Sequence, residues 1–153
     1  MPVAVVAGAV ANKAESGGEA WVRLSYLAGL RRLGWTVDFI EQIGPEACDE
    51  RAIAYFDAVL AGHGGARTSM LVGPGGERLH GGAAEPEELA ADADLLLNIS
   101  GNLTAPALLR RFRRTAFVDI DPGFTQIWHA GGELEIPPHD LHFTIAGNIG
   151  QAG

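Results

Sequence analysis

The sequence predicts an α/β fold: a Rossmann-like, doubly wound, mostly parallel sheet with flanking helices. Three observations predict it. Apolar runs such as "VAVVAG" (3–8) and "DLLLNIS" (94–100) lack the alternation of a half-exposed strand and suit strands buried on both faces. Amphipathic stretches separate these runs, so strand and helix patterns alternate along the chain. Neither a repeat period nor a linker divides the 153 residues, a length that fits one domain, 1–153.

Residues 3–8 form the first strand. The small-residue loop "AVANKAESGG" leads into a helix from about Glu19 to Leu33, with Trp21, Leu24, Leu27, Leu30 and Leu33 near one side. Gly34 supplies its stop. "WTVDFIEQI" (35–43) is the second strand and completes a βαβ unit of right-handed sense. Residues 46–61 form a second helix, with Ile53, Tyr55, Phe56, Val59 and Leu60 as core positions. The glycine-rich stretch from Gly62 to Gly82 reads either as a hairpin around Pro74-Gly75-Gly76 or as a strand and a mobile loop. Pro86 opens a short helix, 85–91, and 94–100 is the next strand. "TAPALLRRF" (104–112) is a helix with Thr104 as its cap and Pro106 in its first turn. "TAFVDI" (115–120) and "LHFTIAG" (141–147) are the remaining strands.

Composition narrows the function. With 47% hydrophobic and 20% charged residues the chain is globular. A formal charge of −8 argues against nucleic acid as a partner, because a phosphate backbone needs clustered Lys and Arg. The exception, "RRFRR" with Arg110, Arg111, Arg113 and Arg114, reads as the cationic end of a helix. Cys48 is the one cysteine, which excludes an internal disulfide and a thiolate metal cluster and suits a reducing, cytoplasmic setting. No run approaches the roughly 20 apolar residues of a membrane helix. The apolar start lacks the basic region of a secretory signal, and reads as a strand.

In wound sheets ligands bind beyond the carboxyl ends of the strands. That rule places on one rim the loop after Gly8, the loop after Ile43, Ser100-Gly101-Asn102, and "DIDPGFTQ" (119–126). Asp119 and Asp121 carry three readings: a metal-binding DxD pair, a phosphotransfer nucleophile with its acid partner, or a turn whose Asp121 caps the next helix. The pair follows a late strand and precedes Pro-Gly, which speaks against phosphotransfer. No third acidic ligand lies near in sequence, so no metal is assigned. Gly17 and Gly18 precede a helix and offer backbone N–H groups to an anion or carbonyl, or merely permit a tight loop. Ser100, Gly101 and Asn102 repeat that logic before another helix. The absence of G-x-G-x-x-G and of a Walker motif leaves no cofactor assigned. None of His63, His80, His129, His139 and His142 has metal-binding spacing. His139 and His142 suit packing or capping, whereas His129 lies just past the rim loop.

Four segments, "YLAGLRRLGWTVDFIE", "ADADLLLNISG", "VDIDPGFTQ" and "HDLHFTIAGNIG", stand in the order seen in a family of bacterial glycosyltransferase-like proteins. These resemble GT-B glycosyltransferases, which have two facing Rossmann-like domains. The resemblance spans nearly the whole chain but only the first of those domains, the donor-binding half being absent. Gly147 stands where the family's last motif usually carries an acidic residue. The resemblance implies a domain that holds a small-molecule acceptor, with a nucleotide sugar reached only through a donor domain or partner chain. Such enzymes need no DxD-bound metal, so Asp119 and Asp121 become cleft wall. Asp121 or His129 then takes the acceptor hydroxyl's proton, and Gly17, Gly18, Ser100, Gly101, Asn102, Asp119, Thr125, Gln126 and Trp128 contact substrate. Alone, such a half is inactive: an excised acceptor domain, half of a split enzyme, or a stand-alone binding or sequestering protein. Its facing surface, if uncovered, leads us to expect a homo-oligomer. A metal-dependent phosphotransfer enzyme is the third expectation.

Overall fold

The computed structural model describes residues 1–133 and 135–147, the side chain of His63 excepted. The end of the "HDLHFTIAGNIG" segment therefore lies outside the described residues. The strands are β1 (Val3–Ala7), β2 (Thr36–Gln42), β3 (Ser69–Val72), β4 (Arg78–Gly81), β5 (Leu95–Ile99), β6 (Thr115–Asp119) and β7 (Leu141–Thr144). The helices are α1 (Gly17–Arg32), α2 (Glu50–Val59), α3 (Pro86–Asp92), α4 (Pro106–Leu109) and α5 (Pro122–Ala130).

The strands form one sheet in the order β4-β3-β2-β1-β5-β6-β7. Every pair is parallel except β3 with β4. This is the predicted Rossmann-like α/β architecture. Strand order reverses between β1 and β5, the place where a crevice opens in such sheets.

Successive residues of each strand face opposite sides, and both sides are apolar. Val6, Phe39, Leu71 and Ile99 pack with Leu27 of α1 and Phe56 of α2. Val5, Ala7, Ile40, Met70 and Leu96 pack with Leu89 of α3 and Leu108 of α4. Burial on both sides is why these strands read as continuous apolar runs.

Several boundaries differ from the sequence reading. Helix α1 begins at Gly17, and Trp21 and Leu33 are exposed, leaving Leu24 and Leu27 as its buried contacts. Gly34 stands past its end at φ 85°, the left-handed conformation that stops helices. Helix α2 starts later than expected because Pro45–Ala47 closes a separate 3₁₀ turn and Asp49 caps the helix, accepting from the Ala52 amide at 2.8 Å. The Gly62–Gly82 alternative resolves as the hairpin: Gly73 N–H donates to the Glu77 carbonyl at 2.8 Å between β3 and β4.

The largest departure is the helix expected over 104–112, which is only Pro106–Leu109. Thr104 does not cap it; its amide donates to Gln42 Oε1 at 2.9 Å instead. The "RRFRR" run therefore lies past the helix and not in its last turn. Phe112 turns into the core, and Arg113 pairs with Asp94 at 3.1 Å. Among the described residues no helix is long and apolar enough to cross a membrane.

Candidate binding site at the sheet's switch point

A cavity of about 660 Å³ opens where β1, β5 and β6 end. The β1–α1 segment supplies Lys13, Ser16, Gly18, Glu19 and Arg23 to its wall. Ser100 and Asn102 come from the turn after β5, and Asp121, Phe124, Thr125 and Trp128 from the β6–α5 segment. Three loops far apart in sequence thus meet at one opening.

Two neighbouring residues of β2 organise two of the surrounding loops. Glu41 is wholly buried and accepts the amides of Val10 and Ala11 at 2.8 Å and of Asn12 at 2.7 Å. Burial pushes its carboxyl above the usual carboxylate range, while those amide hydrogen bonds pull it back. Gln42 reaches the other loop, accepting the amides of Thr104 and Ala105 at 2.9 Å and donating to the Thr104 hydroxyl at 2.8 Å. Alternation along a strand sends the two side chains to opposite faces of the sheet. One strand end thereby holds loops on both sides.

The turn after β5 is clamped by buried Asn98. Its amide donates to the Leu103 carbonyl at 2.8 Å and its carbonyl accepts the Leu103 N–H at 3.0 Å. Between those anchors Ser100 (φ 56°) and Gly101 (φ 67°) are both left-handed, which reverses the chain tightly. For serine that conformation costs on the order of 1 kcal/mol. Asn102 closes the turn by donating to the Ile99 carbonyl at 2.8 Å.

Asn98 also fixes an imidazole. Because its carbonyl oxygen is taken by Leu103, its NH₂ group faces His139 Nε2 at 3.1 Å. Nε2 is therefore the acceptor, and Nδ1 carries the proton donated to the Pro137 carbonyl at 2.6 Å. Burial holds His139 below the ordinary imidazole range, against the upward pull of that carbonyl. His139 and His142 both pack on the Phe117 ring, with centroids 5.6 and 5.8 Å away. Their packing role matches the expectation.

The two aspartates after β6 diverge. Asp119 is buried, and its Oδ1 accepts the Asp121 amide at 3.1 Å and the Thr125 hydroxyl at 2.8 Å. The carboxylate that organises the helix start is thus Asp119 and not Asp121, whose side chain makes no capping bond. The reason lies in the strand: Asp119, its last residue, directs its oxygen over the first turn of α5. Asp121 instead faces the main cavity, and its carboxylate accepts no hydrogen bond among the described residues. Asp119 lines a separate recess of about 230 Å³ with Gln126, His129 and His142. Among the described residues no three His, Cys, Asp or Glu side chains are grouped as a metal ion needs.

Of the residues singled out in the sequence, Gly18, Ser100, Asn102, Asp121, Thr125 and Trp128 share the main cavity. Thr125 borders both spaces, while Asp119, Gln126 and His129 belong to the recess. Gly17 lines a shallow groove beside Trp21 and Tyr55. Gly101 shapes the turn: a Cβ there would come to 3.2 Å from the Phe117 ring.

Sequence reasoning missed Lys13, Glu19 and Arg23. Arg23 looks like an ordinary solvated helix residue, yet it is 4% exposed. Its Nη1 ion-pairs with Glu19 one turn earlier and donates to the Glu19 carbonyl at 3.1 Å. The signal that could have found it is Gly8, directly after β1. A Cβ at that position would meet Arg23 Cγ at 2.7 Å, so only glycine lets the arginine stem cross the strand end. Helix α1 also has a bare start. Ser16 makes no side-chain cap, and the Ala20 amide makes the first bond back, to the Ser16 carbonyl at 3.1 Å. The preceding amides have no intrahelical acceptor. Comparison with protein-family models, with curated proteins and with solved structures gives no match.

Proposed function

We propose that the chain is a small-molecule-binding domain that serves as the acceptor side of a GT-B-like glycosyltransferase. The supporting observation is the single opening into which Ser100, Asn102 and Asp121 converge beside the mutually tilted Phe124 and Trp128 rings, their centroids 5.2 Å apart. Polar groups at fixed points and an apolar shelf are the ordinary composition of a site for an organic molecule. Within this reading Asp121 accepts the proton of an acceptor hydroxyl as that oxygen attacks a sugar's anomeric carbon. His129, in the adjoining recess, is the second base. The nucleotide sugar comes from a donor domain or a partner chain.

The polar groups and aromatic rings around the cavity also support a second reading: a free-standing protein that binds or sequesters the same class of molecule without catalysis. Both readings are tested by titrating a Trp21→Phe/Trp35→Phe variant, whose remaining tryptophan is Trp128, with hydroxylated aromatic compounds. Fluorescence quenching with no response to UDP or TDP is expected. Binding of the nucleotide but of no aromatic compound overturns both. Sugar transfer when a donor domain is supplied separates the first reading from the second.

A further inference from the structure

Arg23 presents an unusual arrangement for a buried cation. Its side chain is 5% exposed, and the guanidinium's partners among the described residues are both on Glu19 and both reached through Nη1. Nε is buried and has no hydrogen-bond partner. Nη2 has no partner among the described residues either. Glu19 takes Nη1 alone, which leaves Nε and Nη2 without an acceptor in a side chain that lines the cavity. Burying charged N–H groups without acceptors is costly, and a native site that retains them points to an acceptor that arrives later.

The same wall holds a second cation and the free amides of a helix start. Lys13 borders the same wall, and the uncapped first turn of α1 presents Gly18 to it. Helix α1 runs for 16 residues, so the partial positive charge at its start is well developed. Two carboxylates share the cavity, Glu19 and Asp121. Glu19 is engaged with Arg23, and Asp121 belongs to the β6–α5 wall. The cavity is therefore polarised, cationic on the β1–α1 side and acidic on the β6–α5 side.

We propose that the ligand of this cavity carries an oxyanion, a carboxylate or a phosphate, which binds the unpaired nitrogens of the Arg23 guanidinium beside the start of α1. A guanidinium fork matches the paired oxygens of such groups, which an ammonium does not. Drawing the fork outward also supplies an acceptor to the nitrogens that now lack one. The rest of the molecule then extends toward Phe124 and Trp128, with its hydroxyl directed to Asp121. This assignment rests on the small-molecule reading of the same cavity and names the chemistry of what enters it.

The test uses the full chain and matched aromatic probes: phenyl phosphate, phenylacetate and the neutral 2-phenylethanol, followed by calorimetry and Trp128 fluorescence. At least one anionic probe is expected to bind on the order of tenfold or more tighter than the neutral one, in line with a charge-assisted hydrogen bond. Comparing the two anions tells phosphate from carboxylate. Arg23→Gln is expected to erase the preference, and Arg23→Lys to restore only part of it. Replacing a buried arginine also perturbs the fold, so Glu19→Gln provides an independent reading. Removing the competing carboxylate should tighten the anion several-fold, whereas a purely structural ion pair predicts no tightening. Equal binding of all three probes overturns the oxyanion assignment and leaves the small-molecule reading intact. Binding of none of them overturns both.

Discussion

At the scale of single residues, neighbouring side chains of the same type have different work. Asp119 is buried and spent on the Thr125 hydroxyl and the Asp121 amide, whereas Asp121 keeps both oxygens for the cavity. In an assay supplying a nucleotide sugar and a donor domain, Asp121→Asn should lower turnover by about 10²–10⁴-fold, the usual contribution of a general base. Ligand affinity should change little, and an equal loss in His129→Gln alone would move the base to the recess. Gly8→Ala pushes a methyl against Arg23 Cγ, and should destabilise the fold by about 1–3 kcal/mol in chemical denaturation, the cost of overpacking. His139 carries a pH dependence. Its imidazole value is depressed in the folded state, so its contribution is intact above the unfolded value of about 6.5 and is lost as pH falls through the lower folded value. Protonating Nε2 sets an N–H against the Asn98 NH₂ group. Pro137 and Asp140 pull the other way, and His142 adds to the depression. Denaturation midpoints below pH 6.5 should therefore fall more steeply in the native chain than in His139→Asn.

At the scale of elements, stability is concentrated in the central strands. Leu96 of β5 is fully buried between α3, α4 and the neighbouring strands. Leu96→Ala should cost about 2–5 kcal/mol, the range for a large-to-small change in a packed core. Helix α5 is the opposite case: none of its residues is buried, and Ile127 is 68% exposed. Ile127→Ala should change stability by no more than about 0.5 kcal/mol, as surface substitutions do. The helix that carries Asp121, Thr125 and Trp128 to the cavity is thus attached through its first turn, by Asp119, and not by a buried face. An element held that way is free to adjust to a ligand at small cost.

At the scale of the whole molecule, β7 closes one side of the sheet with an uncovered edge. Leu141, Phe143 and Ile145 are all exposed on or next to it, and an exposed apolar edge strand is the kind of surface through which chains can pair. Sedimentation at rising concentration should show self-association, reduced in Phe143→Lys. A monomer at all concentrations would count against the homo-oligomer expected from the sequence.

The order of strands and helices was legible in the residues themselves, because a strand covered on both sides must be apolar throughout and helices must present a stripe. "VAVVAG", "DLLLNIS" and Gly34 gave their elements away for that reason. Local signals failed where a distant group claimed the backbone: Gln42 took the amides before α4, and Phe112 found a place in the core, so the helix read over 104–112 shrank to one turn. The convergence of Gly18, Ser100 and Asp121 followed from sheet topology, which the alternation of patterns implies. What only the tertiary structure decided is which polar groups are spent and which are left open. Asp119 and Asp121, two residues apart, part company by their position over α5. Arg23 is buried because a glycine some fifteen positions away leaves room for its stem. Those outcomes depend on distances between segments that no local pattern encodes.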